Sequence, residues 1–172
     1  MKIGSYRVSA PEYAKEFRYA SDRILVTAPF HMECQTDEGI DIKLSLDLDR
    51  EMGRIVCRSI SLNRPANGTE ITSSDLREVA IATLVKWGSD QMIRVRGTSG
   101  DWVSLGGAGT AFAPAAGRER HEVVADAAVV YAVSALTARA PLQLVADRLG
   151  VSQSTATRLV SQARQDGLLS DG

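Results

Sequence analysis

The side chains of this chain best suited to recognition chemistry are gathered near its C-terminal end. They are Arg148, Ser152, Gln153, Ser154, Thr155, Thr157, Arg158, Gln162 and Arg164. All are cationic or hydrogen-bonding, and no carboxylate lies between Arg148 and Gln165, although the chain carries 21 Asp and Glu against 20 Lys and Arg. Such a set can meet nucleic acid. Gln bonds adenine through two atoms, Arg pairs with guanine O6 and N7, and short hydroxyls reach base edges or phosphates. Gln153, Ser154, Thr157 and Arg158 are placed for base edges; Arg148, Ser152, Thr155 and Arg164 are better placed for phosphates. Gln162 completes the exposed polar set. Taken singly, each could equally be part of a solvated helix face.

These residues need a frame, and residues 141–169, PLQLVADRLGVSQSTATRLVSQARQDGLL, supply one. Pro141 suits the first turn of a helix, where its missing N–H costs nothing. Leu142, Val145, Ala146 and Leu149 then form one apolar face. Gly150 ends that helix and tolerates a left-handed turn. Val151 plugs the turn, and Ser152 caps the next helix. Ala156, Leu159, Val160 and Ala163 point inward, and Gly167 stops the second helix. A steep crossing of two such helices needs a small residue at the closest approach, here Ala146. It also needs apolar residues to bridge the crossing: Val145, Leu149, Val151, Ala156 and Leu159.

Residue by residue, this window resembles the helix-turn-helix of bacterial and phage regulators. More narrowly, VADRLGVSQSTATRLVSQARQDGLL is similar to small actinobacterial and actinophage DNA-binding proteins. The resemblance is confined to the C-terminal third. It implies that the amino-terminal part of the second helix enters the major groove of double-stranded DNA.

Upstream elements have to position this unit. A helix is expected over 119–137, with Val123, Val124, Ala127, Ala128, Val130, Tyr131 and Val133 covering more than one stripe. A helix so broadly apolar must be buried on two sides, and Tyr131 is expected in the core or an interface. Residues 106–117, GGAGTAFAPAAG, read as a linker. Before it, Ile40, Ile42, Leu44, Leu46 and Leu48 share one face of a strand. RILVTAPF and RIVCRSISLN are its expected partners in a meander, through TDEG and DREMG turns. A helix follows over 72–88, with Leu76, Val79, Ala80, Leu84 and Trp87 facing the sheet and Gly88 at its end. QMIRVRG and DWVSLG, separated by TSG, could add a final hairpin.

The fold class expected is α+β: an N-terminal antiparallel sheet with a covering helix in 1–105, then an all-α helix-turn-helix unit in 118–172. That N-terminal domain would serve dimerisation or bind a partner protein. Hydrophobic content of 44% and charged content of 24% suit a soluble globular protein. No apolar run is long enough to span a membrane, and the opening MKIGSYRVSAPEYAKEF has no signal-peptide core. Cys34 and Cys57 form no disulfide framework, which favours a reducing cytoplasm.

Net charge of −1 requires any DNA-binding surface to be local. One copy would bind weakly, so a homodimer is expected, through the helix at 119–137 or the one-sided sheet. His31 and Cys34 alone fall short of a zinc site, GGAGTA lacks the lysine of a phosphate loop, and no triad neighbourhood is visible. No enzyme activity, metal or cofactor is expected. The function expected is a sequence-specific transcriptional regulator, a repressor acting by operator occupancy. The alternative is a protein-interaction, packaging or assembly module that uses the same helices for docking.

Overall fold

The structure, a computed structural model, describes residues 2–169 apart from 66, 67, 69, 98, 99, 109 and 110. The alternating stretch forms β5 (Asp41–Asp49), with Ile42, Leu44 and Leu46 buried and Lys43 exposed between them. Antiparallel neighbours are β4 (Phe30–Thr36) and β6 (Arg54–Asn63), and β1 (Ile3–Ser9) lies outside β4, giving the order β1-β4-β5-β6. Both expected turns occur. Gly39 and Gly53 take positive φ of 77° and 61°. Asp49 Oδ1 accepts from the N–H groups of Glu51 and Met52 at 3.1 and 2.9 Å.

The helix expected over 72–88 is broken in two. Thr72 caps α1 (Ser73–Glu78) through a reciprocal box with Asp75, and Val79 then turns extended, with φ −70° and ψ 108°. No residue of α1 is buried, so Leu76, expected on the core face, is 58% exposed. The second helix, α2 (Ile81–Met92), runs through Gly88 instead of ending there, so Gln91 and Met92 are helical. Packing explains the glycine. A Cβ at position 88 would stand 2.9 Å from Phe30 Cε2 and 3.0 Å from Leu46 Cδ1. Gly88 is where helix meets sheet.

The single meander also gives way to two sheets. RILVTAPF divides between β3 (Ser21–Ala28) and β4, with Pro29 between them, where the missing N–H interrupts a ladder. β3 pairs antiparallel with β7 (Ile93–Arg96) in a second sheet of order β2-β3-β7-β8, where β2 is Lys15–Tyr19 and β8 is Trp102–Ser104. Of the TSG turn between β7 and β8, residues 98 and 99 lie outside the described set.

Contacts group the chain into two compact units, Met1–Glu16 with Thr27–Met92, and Phe17–Val26 with Ile93–Gly172. The molecule is thus α+β, but its C-terminal half is not all-α, because β7 and β8 group with the helices. The last residues of the expected 118–172 domain, 170–172, lie outside the described set.

Residues 106–117, apart from 109 and 110, are not a free tether either. A 3-10 turn spans Leu105–Gly107, and Ala108, Ala111 and Phe112 are buried. A Cβ on Gly97 would fall 1.7 Å from the Ala111 carbonyl oxygen. The close approach requires glycine at position 97, and part of the segment read as linker is packed into the second unit.

In this second unit α3 (Arg120–Leu136), α4 (Pro141–Leu149) and α5 (Gln153–Gln165) pack pairwise. The apolar breadth of α3 is spent within the chain: Val123, Val124, Ala127, Ala128, Val130 and Val133 are all buried. So is Asp126, at 0% exposure. It bonds Arg23 of β3 through Oδ1 and Arg118 through Oδ2, the latter at 2.8 Å.

Candidate nucleic-acid interface

The presentation of α5 begins with the turn before it. Gly150 is left-handed, at φ 62° and ψ 38°, and its N–H and that of Val151 both donate to the Ala146 carbonyl. This satisfies a carbonyl that the end of α4 would otherwise leave open. Ser152 then caps α5, its hydroxyl accepting from the Thr155 N–H at 3.2 Å. Ala156, Leu159, Val160 and Ala163 are buried, as are Val145 and Leu149 of α4. The inward face is therefore fixed, and with it the outward one.

That outward face carries Gln153, Ser154, Thr157 and Arg158, all exposed, as expected. It also carries Ser161 and Gln165, which the sequence reading passed over. Ser161 lies four residues from Thr157 and seven from Ser154, so helical spacing alone could have found it. Thr157 donates its hydroxyl to the Gln153 carbonyl at 3.0 Å, which leaves its oxygen available as an acceptor.

The remaining expected residues divide. The hydroxyls of Ser154 and Thr155 lie 3.0 and 2.9 Å from that of Ser152, forming one cluster at the opening of α5. Thr155 is half-buried. Gln162 is half-buried as well, and its Nε2 donates to Asp166 Oδ1 at 2.8 Å, so one of its two amide N–H donors is occupied. Arg148 does not join the α5 stripe: it is half-buried and lines a small crevice with Leu105, Phe112, Val133 and Leu144. Arg164 is exposed and donates from Nη2 to the Tyr131 hydroxyl at 2.8 Å. Tyr131, expected in the core or an interface, is only half-buried.

Among the described residues Arg148, Arg158 and Arg164 take part in no ion pair, as is true also of Arg54, Arg77 and Arg120, whereas Arg23, Arg58, Arg64, Arg96 and Arg118 each meet a carboxylate. Asp147 and Asp166 flank the acid-free window. Arg158 keeps its full donor fork for an anion, and Arg164 keeps all but the donor given to Tyr131.

Elsewhere the chemistry is ordinary. His31 and Cys34 point to opposite faces of β4, as an odd separation in a strand dictates. Among the described residues no group of three or more His, Cys, Asp or Glu could hold a metal ion. Burial pushes the thiols of Cys34 and Cys57 up, away from the reactive thiolate. No helix among the described residues is long and apolar enough to cross a membrane. Comparison with family models, with curated proteins and with solved structures gives no match.

Proposed function

We propose that the chain is a sequence-specific double-stranded DNA-binding regulator, with α4, the Gly150 turn and α5 acting as a helix-turn-helix and α5 entering the major groove. One observation carries this reading: the outward stripe of α5 combines Gln153, Ser154, Thr157 and an Arg158 that has neither an ion pair nor a hydrogen bond among the described residues. Gln153, Ser154, Thr157 and Arg158 read base edges, while the Ser152 and Thr155 hydroxyls lie at the helix opening, where phosphates meet backbone N–H groups. Repression follows from occupying an operator in the cytoplasm, with no cofactor.

Few cationic contacts per copy make binding weak and salt-sensitive, so the functional species is a homodimer on a two-fold site. Because α3 is buried within its own chain, the exposed large apolar residues of the first unit, Tyr6, Tyr13, Met52, Ile60, Leu76 and Ile81, are the candidates for the dimer contact. The test is selection from a random duplex DNA library at two salt concentrations. An enriched inverted repeat that survives the higher salt supports the reading. Unselected DNA lost with salt, or none, overturns it in favour of an assembly or docking module.

A further inference from the structure

The Arg164 guanidinium does more than bond the Tyr131 hydroxyl. Its central carbon also lies 5.1 Å from the centre of the Tyr131 ring. The two residues lie 33 positions apart in sequence, on α3 and α5. A shallow cavity of about 290 Å³ opens beside them, lined by Pro141, Gln153, Thr157 and Ser161 as well as by the pair itself. Arg164 thus shares a surface with two of the residues assigned to base edges.

Distance along α5 separates their tasks. Arg164 lies eleven residues beyond Gln153, which is about 16 Å at the helical rise. The major groove is about 12 Å wide. With Gln153 on base edges inside the groove, Arg164 stands at its bounding sugar–phosphate backbone. A free arginine would have to give up its rotamer freedom to bind there. Held by the ring face and by a neutral hydroxyl, it is ordered beforehand yet keeps its charge and most of its donors.

Resting on the DNA-binding reading above, we propose that Tyr131 is a positioning residue that holds Arg164 ready for a backbone phosphate of double-stranded DNA. Tyr131 itself touches no base.

A double-mutant cycle on the full chain tests this, read by duplex affinity across a salt series. Arg164→Ala is expected to weaken binding equally on all sequences and to lower the salt slope by about one. Tyr131→Leu is expected to weaken binding about three- to tenfold with the slope retained, because the cation remains but is no longer held. In the Arg164→Ala background Tyr131→Leu is expected to have no further effect. Tyr131→Phe, which keeps the ring, should restore part of the loss, and it carries the same cycle if Tyr131→Leu melts early. Equal weakening by the Tyr131 variants in both backgrounds, or no weakening in either, overturns the proposal while leaving the DNA-binding reading intact. Absence of duplex binding by the unaltered chain removes both.

Discussion

Two pairs of arginines in the second unit show how differently one side chain is used. Arg23 and Arg118 converge on Asp126, whose carboxylate is fully buried, and their own side chains are 17% and 13% exposed. Arg158 and Arg164 stand on the outer side of α5 with no carboxylate partner among the described residues. The first pair is committed to the fold. A buried carboxylate is tolerated only when its charge is met and its oxygens are bonded, and two guanidiniums do both. The second pair carries no charge partner: among the described residues Arg158 has none at all, and Arg164 meets only the neutral Tyr131. Composition cannot distinguish the two, since all four count equally toward the net charge of −1.

Breaking the committed pair should have the largest effect. Asp126→Ala takes from Arg23 its carboxylate and leaves Arg118 with Glu122 at 3.7 Å, and the expected loss is about 3 kcal/mol in urea unfolding. A loss well under this would mean that Arg23 and Arg118 turn to water or other acceptors at little cost. Arg158→Ala should do the opposite. Stability should stay within about 0.5 kcal/mol, while affinity for a selected duplex falls by about 1–3 kcal/mol and base preference relaxes. Unchanged affinity and preference would place Arg158 on an ordinary solvated face.

The frame that aims α5 comes next in size. Ser152→Ala removes the hydroxyl that accepts the Thr155 N–H, and it should lower the melting transition by an amount equivalent to about 1 kcal/mol. Gln153 would stay exposed, so any loss of DNA affinity beyond what the lowered stability explains would assign Ser152 a phosphate contact of its own.

The smallest effect is electrostatic and belongs to the first unit. The Asp49 carboxyl is held below its ordinary 3.8, first by the Met52 N–H and then by Arg58 and the Glu51 N–H. A carboxyl lowered in this way stabilises the fold above its ordinary value, and that stability is lost as pH falls through the lowered one. Asp49→Asn should therefore flatten the acid limb of a stability–pH profile below pH 3.8. An unchanged limb would show that other carboxylates govern it.

The two regions also differ in how far the sequence disclosed them. In the C-terminal segment the expectations map closely onto the structure. The helix expected over 119–137 is α3, Arg120–Leu136, with Glu119 and Thr137 as its caps. Gly150 takes the left-handed turn, Ser152 is the cap, and the four expected inward residues of α5 are buried. In the first 105 residues the strand alternation of β5 and its pairing with RIVCRSISLN, which is β6, were legible, but its other neighbour, β4, was not. The sequence of RILVTAPF suits either sheet, and only the interruption at Pro29 hints that it serves both.

Gly88 departs from the expected helix end for a related reason. Glycine is a helix stop by local propensity, yet here it is required by Phe30 and Leu46 across the interface. Leu76 was placed on the core because a continuous helix would carry it there, and the break at Val79 removes that premise.

Features that depend on neighbours within about one helical turn, or on strict alternation, are legible along the chain: caps, turns, the buried face of α5 and, with it, the exposed stripe. The physical reason is that N–H groups at a helix end and side chains at three- or four-residue spacing find their partners nearby along the chain. The packed fold was needed to show that β3 leaves the first sheet for β7, why Gly88 is glycine, and which arginines were spent. Asp126 meets Arg23 across 103 positions and Arg164 meets Tyr131 across 33. No local periodicity encodes such pairs, because they exist only once the packed elements have brought distant side chains together.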